Sequence, residues 1–182
     1  MHIGIAGAGL VGRVLALNLL QQGHTLTLFD EDTAYGDKAA GMTAAGMLAV
    51  FAELESAESS IFEYGQRSIK LWPDLLKQID LLDAYQHKGS IITAHPQDYG
   101  ELEHFIATLK SKVEEASEIE LLDREALTKL EPDLEQHRKA FFIPQEGQVD
   151  AQRFMKASSD YLLAHPDITW HEETKVSNVS DG

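Results

Sequence analysis

The chain has 182 residues, 43% of them hydrophobic, and a formal net charge of -15. That apolar share supports a real core and the length suits one ordinary domain or part of a larger one, so wholesale disorder is excluded. A surface this acidic repels phosphate backbones and anionic headgroups, which sets aside nucleic acid and membranes as partners, and the absence of cysteine sets aside disulfides, thiolate metal sites and a thiol nucleophile.

Met1-His2-Ile3 leads straight into an apolar run without a basic leader, unlike a secretion signal. The longest apolar stretch, 42–52, is too short to span a bilayer. The expectation is a soluble, cytoplasmic protein.

In chain order, "HIGIA" (2–6) reads as a fully buried parallel strand ending in glycines. Leu10 to Gln22 has helical apolar spacing, with Gly23 as its stop. "TLTLFD" (25–30) reads as a second strand, completing a βαβ unit. Residues 31–49 are rich in small residues and read as an ordered loop leading into a helix. A long helix follows over 59–82, with Phe62, Ile69, Trp72, Leu75, Leu76 and Ile79 as its buried stripe. Pro73 inside it predicts a kink or a boundary. "GSIITAH" (89–95) is strand-like, and 99–115 is amphipathic and helical. Asp123 caps a short helix closed before Pro132. "KAFFIP" and "GQVD" read as strands, Asp150 caps a helix over 151–164, and "ITWHE" and "KVSNVS" read as two last strands.

Gly7, Gly9 and Gly12 form G-x-G-x-x-G between the first strand and the first helix. Gly7 permits a tight turn, Gly9 leaves room for a pyrophosphate to come close, and Gly12 lets helix and strand pack. Backbone N–H groups and the positive end of the helix dipole then face the phosphates. Asp30 ends the second strand, where a carboxylate can accept hydrogen bonds from ribose hydroxyls. An acid here leans against a 2′-phosphorylated cofactor. The loop alone leaves NAD and FAD open. The Ala/Gly-rich stretch after Asp30 suits a backbone lying against a flat ligand, or else tight helix packing. The eight histidines are scattered without metal-ligand spacing, and no Ser-His-Asp set can be argued.

With these motifs in view, the chain resembles the amino-terminal half of an FAD-dependent amine oxidase of the D-amino-acid oxidase superfamily. Within it, the likeness is to the glycine oxidase of thiamine biosynthesis. "GIAGAGLVG", "LTLFDED" and "TAAGMLAVFAELE" carry it, with "QRSIKLWPDLL" and "IPQEGQVDAQRFMKA". The resemblance implies an α/β fold. A Rossmann-like FAD-binding domain with a parallel sheet would occupy 1–84 and 150–182. Part of an inserted α+β substrate domain with a mixed or antiparallel sheet would occupy 85–149. The parallel sheet would be built from 2–6, 25–29 and about 175–180.

The resemblance also implies site residues. Leu10 and Val11 of the glycine loop would lie at the pyrophosphate. Asp30 would bind the adenosine ribose, where the family usually has Glu, with Glu31 adjacent. Ala40 and Gly41 match positions where relatives carry hydroxyl residues near phosphate. Ala45, Gly46 and Met47 would lie near the flavin ring, and Val176 would present its backbone to the adenine. No catalytic side chain and no metal ligand is assigned.

The activity so implied is hydride transfer from a small amino acid or amine to FAD, with molecular oxygen or another electron acceptor completing the cycle. Such oxidases are much longer chains, and the groups that hold the substrate carboxylate lie in their second half. This chain alone is therefore expected to be inactive and to hold FAD weakly or not at all. Exposed sheet edges would allow a homo-oligomer. Two other readings stay open: an NAD-dependent dehydrogenase domain, and a non-catalytic nucleotide-binding fragment.

Overall fold

The structure, a computed structural model, describes residues 1–54 and 59–178. In chain order its elements are β1 (His2–Ala6), α1 (Leu10–Gln21), β2 (Thr25–Phe29), β3 (Met47–Leu48), α2 (Val50–Leu54), α3 (Ser59–Gln78), β4 (Tyr85–Gln86), β5 (Ser90–Ile92), α4 (Tyr99–Lys112), β6 (Glu120–Asp123), α5 (Arg124–Leu130), β7 (Lys139–Ile143), β8 (Gly147–Val149), α6 (Ala151–Ala164) and β9 (Ile168–His171). They divide between two compact units: Met1–Gly46, Leu71–Tyr85 and Val149–Gly182 form the first, Met47–Lys70 and Gln86–Gln148 the second. The second unit thus takes 47–70 together with nearly all of 85–149, the range expected for the inserted domain. Helix α3 belongs to both units: it runs unbroken through Pro73, and the division falls at Leu71, two residues before that proline.

The first unit is built on a parallel sheet in the order β1-β2-β9. Ile5 lies opposite Leu28, and Leu28 opposite Trp170. Leu26 and Leu28 alternate into the core from the central strand. The expected full burial of β1 does not hold: it is an edge strand, and Ile5 is its one buried residue. The third strand is β9, from "ITWHE"; the expected strand at about 175–180 is not formed over 175–178, and its remaining positions lie outside the described residues. Two helices cover the sheet's core side. α1 buries Gly12, Arg13, Ala16, Leu17 and Leu20. α6, whose N-terminus is capped by the Asp150 carboxylate accepting from the Arg153 N–H, buries Phe154, Met155 and Leu162. Trp72 meets Phe154 edge-on with ring centroids 5.2 Å apart.

The second unit has an antiparallel sheet in the order β5-β7-β6, with Ile91 opposite Phe142 and Leu121 opposite Phe141. A further sheet has the order β3-β8-β4, where Met47 pairs with Gln148. The unit's core gathers Phe51, Phe62, Ile106, Leu109, Phe141 and Ile143. Phe51 and Phe62 pack edge-on at 5.0 Å. Asp123 caps α5 as its position before an apolar run predicts, accepting from the Ala126 N–H at 2.9 Å. Among the described residues no helix is long and apolar enough to cross a membrane.

Phe51 is completely buried. Phe51→Ala is expected to destabilise the second unit by about 3–5 kcal/mol, the usual cost of emptying a buried phenylalanine site. Denaturant unfolding followed by tryptophan-independent circular dichroism checks this.

Candidate functional site

The glycine turn sits where β1 ends, at the carboxyl edge of the parallel sheet, the edge at which open α/β sheets take ligands. Gly7 has φ +98°, which only glycine adopts without strain, and its N–H donates to the Phe29 carbonyl at 2.8 Å. A Cβ at Gly12 would stand 1.9 Å from the Gly7 carbonyl oxygen, so α1 can approach the turn only because Gly12 has no side chain. A Cβ at Gly9 would meet nothing within 4 Å, so the space there is open. The first intrahelical bond of α1 runs from the Arg13 N–H to the Gly9 carbonyl. The N–H groups of Leu10, Val11 and Gly12 therefore have no partner within the helix, and Val11 is 80% exposed.

A cleft of about 380 Å³ opens beside this turn. Gly7, Gly9, Asp30, Glu31, Lys38 and Val176 are among its walls. Backbone bonds between the end of β2 and the chain after β9 build the far wall: the Asp30 N–H donates to the His171 carbonyl, and the Thr174 N–H to the Asp30 carbonyl. Val176 reaches the cleft by this pairing and not from a strand, which corrects the expected "KVSNVS" strand over the described residues 175–178. Asp32 organises the next loop. Its carboxylate accepts from the Thr33 and Lys38 N–H groups, and the latter bond above all holds its carboxyl below the usual range. Lys38 lies 3.8 Å from Asp32, and Lys175 3.5 Å from Glu31. The sequence reading passed over both lysines, since no motif marks them; the fold alone brings them to the cleft.

The Asp30 carboxylate is already engaged. One oxygen accepts from the Ala8 N–H and the other from the Asp32 N–H at 2.9 Å. Each retains a lone pair for a further donor. Ala8 is held from its other side by Arg13, which the sequence reading also missed. Arg13 is only 3% exposed. Its Nε donates to the Ala8 carbonyl at 2.6 Å, Nη2 to the Ala34 carbonyl at 2.8 Å, and Nη1 to the Met155 carbonyl at 2.6 Å and the Ser159 hydroxyl. The guanidinium also lies 5.2 Å from the Trp170 ring centroid. Burial pushes its pKa down, and the Asp30 charge partly restores it. The available signal was register: Arg13, Ala16, Leu17 and Leu20 share one helical face.

The other expected residues lie apart from this cleft. Ala40 is exposed on a short 3-10 turn, next to Ala39, which does line the cleft. Gly41 faces inward, and a Cβ there would stand 2.8 Å from the Met155 sulfur. Ala45 is exposed. Gly46 has φ +72°, and its carbonyl accepts from the Val149 N–H at 2.9 Å. Both glycines thus have a packing reason. Met47, 62% exposed, begins the second unit and lines an apolar cleft of about 360 Å³ with Leu48, Val50, Ile61 and Ile69. Beneath that segment lies Glu146, 1% exposed, whose carboxylate accepts from the Phe51 N–H at 2.9 Å and from the Ser90 hydroxyl. Burial raises its pKa, against the lowering effect of these bonds.

Gly12→Ala is expected to lower the melting temperature by several degrees, since the methyl must displace backbone; thermal unfolding checks it. Glu146 gives a pH signature. A raised folded pKa means the folded state binds the proton more tightly than the unfolded chain. The stabilisation this brings is full below 4.5 and is lost as pH rises through the folded value. Glu146→Gln does not titrate, so its urea midpoint is expected to gain on the parent protein's as pH rises above 4.5. A constant difference across pH would contradict the assignment.

The family of FAD dependent oxidoreductases matches residues 2–182. A Rhizobium etli protein named as the thiamine biosynthesis oxidoreductase ThiO is 32% identical over 158 residues, covering 86% of this chain and 44% of that protein. Two solved glycine oxidases share the fold. That of Bacillus cereus has a TM-score of 0.79 at 23% identity, over 99% of this chain and 49% of its own. That of Geobacillus kaustophilus has a TM-score of 0.76 at 24% identity, over 94% and 46%. The chain thus spans less than half the length of these relatives. Its glycine turn at the sheet's carboxyl edge and the match over residues 2–182 place it in the family of FAD dependent oxidoreductases.

Proposed function

We propose that the first unit holds FAD in the cleft beside the glycine turn, and that the whole protein oxidises a small amino acid or amine, as glycine oxidases do. The observation that carries the reading is the cleft itself: an open space at Gly9, free helix N–H groups at Leu10 and Val11, and a wall carrying the acids Asp30 and Glu31 with Val176 beside them, within a chain of this family. The residues present fit the cofactor. A pyrophosphate suits the Gly9–Val11 backbone and the positive end of α1. Ribose hydroxyls suit the spare lone pairs of Asp30 and the Glu31 carboxylate, and adenine suits the backbone at Val176. Bound flavin supplies a hydride acceptor for the substrate α-carbon, with oxygen or another acceptor drawing off the electrons.

The chain's own work in that reaction is capture and orientation of the cofactor. In this reading the division at 1–84 and 150–182 against 85–149 is one of labour, cofactor against substrate. Ala45, Gly46 and Met47 are assigned to the flavin-ring side, and Ala40 and Gly41 to the phosphate side through the loop that ends at Ala39. No residue of this chain is assigned as acid or base. The protein is read as soluble and cytoplasmic.

The test is a thermal-shift titration with FAD, FMN and NAD. FAD is expected to raise the melting temperature at high concentration, and FMN, which lacks adenosine, to leave it unchanged. A shift with NAD and none with FAD would overturn the proposal. In the protein made from its complete reading frame, acid-releasable FAD and peroxide formation from glycine, sarcosine or D-alanine are expected. Gly9→Ala separates fold from binding. Its methyl meets nothing and its φ of −69° is ordinary, so the melting temperature should hold while the FAD-induced shift disappears.

A further inference from the structure

Arg13 joins three chain segments of the first unit that are distant in sequence: the glycine turn at Ala8, the loop after β2 at Ala34, and α6 at Met155 and Ser159. Two of them are continuous with walls of the cleft, through Gly7 and Gly9 on one side and Glu31, Asp32 and Lys38 on the other. Ala8, between the two glycines, has both its backbone groups consumed: N–H by the Asp30 carboxylate, C=O by Arg13 Nε. No carboxylate forms an ion pair with Arg13 among those of the described residues. A buried cation that meets mainly neutral acceptors costs desolvation, and simple packing would be served better by an apolar residue.

We propose that Arg13 is a positioning residue for the dinucleotide: with Asp30 it clamps Ala8, so that the Gly9–Val11 N–H groups are set for a pyrophosphate before the ligand arrives. This deepens the FAD reading and rests on it for the ligand's identity. The planar fork is the working part. Its donors reach five acceptors, the Ser158 hydroxyl at 3.3 Å included, in fixed directions, which an ammonium cannot do. The charge lies behind the turn and adds to the positive end of α1 without touching the ligand.

The test compares the parent chain with Arg13→Lys, which keeps the charge and loses the fork, and with Ser159→Ala, which keeps the guanidinium and removes one acceptor. Amide hydrogen exchange is read first, without any ligand. In Arg13→Lys, the Gly7 and Ala8 amides are expected to exchange about tenfold faster or more, the factor of one lost charge-assisted bond, while Leu26 and Leu28 keep their protection. FAD affinity, read by flavin fluorescence, is expected to fall by a similar factor of about ten. Ser159→Ala is expected to show the same pattern to a smaller degree, and it decides the matter if Arg13→Lys does not fold. Unchanged exchange at Gly7 and Ala8, or a uniform rise over β1, β2 and β9, overturns the proposal. If neither the parent chain nor the protein made from its complete reading frame binds FAD, the cofactor reading fails, whereas the exchange data still decide the role of Arg13.

Discussion

A guanidinium taken out of water loses hydration worth several kcal/mol, and the loss is offset only if its donors are met in good geometry. Arg13 sits under that constraint in the middle of the first unit. Carbonyls from the glycine turn, the loop after β2 and α6 must all converge on one planar group. The convergence ties α1 to α6 through the Met155 carbonyl and holds the Gly7–Gly9 turn by the Ala8 carbonyl. Gly12 completes the constraint, because any larger residue would push α1 away from the Gly7 carbonyl and carry Arg13 with it.

An acidic protein that takes a pyrophosphate must gather positive potential locally. The net charge of -15 works against an anionic ligand at long range. At the cleft, Lys38 and Lys175 stand among Asp30, Glu31 and Asp32, and the N-terminus of α1 and the buried Arg13 add positive charge on the side of the glycine turn. The lysines pair loosely with Asp32 and Glu31 at an exposed surface, where such pairs are worth little. They can therefore turn toward a phosphate at small cost. The acids stay where hydroxyl donors would be read.

The βαβ unit and the glycine turn were readable because their chemistry is local. A strand pattern, three glycines at fixed spacing and a terminal acid lie within thirty residues, and Asp123 and Asp150 announce their helices in the same local way. What was not readable depended on tertiary pairing. "ITWHE" and "KVSNVS" look alike as strands, and only the pairing of β9 with β2 makes the first of them the third strand. The division of the chain inside α3 has Pro73, two residues past it, as its one local mark, since helical periodicity continues across it. Arg13 was hidden by its type: an arginine after a glycine loop reads as surface until its register with Ala16, Leu17 and Leu20 is noticed. Gly41 and Gly46 illustrate the converse. Their composition suggested room for a ligand, while Met155 and Val149 already explain both.

The proposed seat of the cofactor is the carboxyl edge of the β1-β2-β9 sheet, against the glycine turn. The most direct measurement is an amide chemical-shift map of the isotope-labelled chain during titration with FAD. The largest changes are expected on Gly9, Leu10 and Val11, with a second group at Asp30, Glu31 and Val176. Changes confined to the second unit, or changes at Asp30 and Val176 with none in the glycine turn, would contradict it.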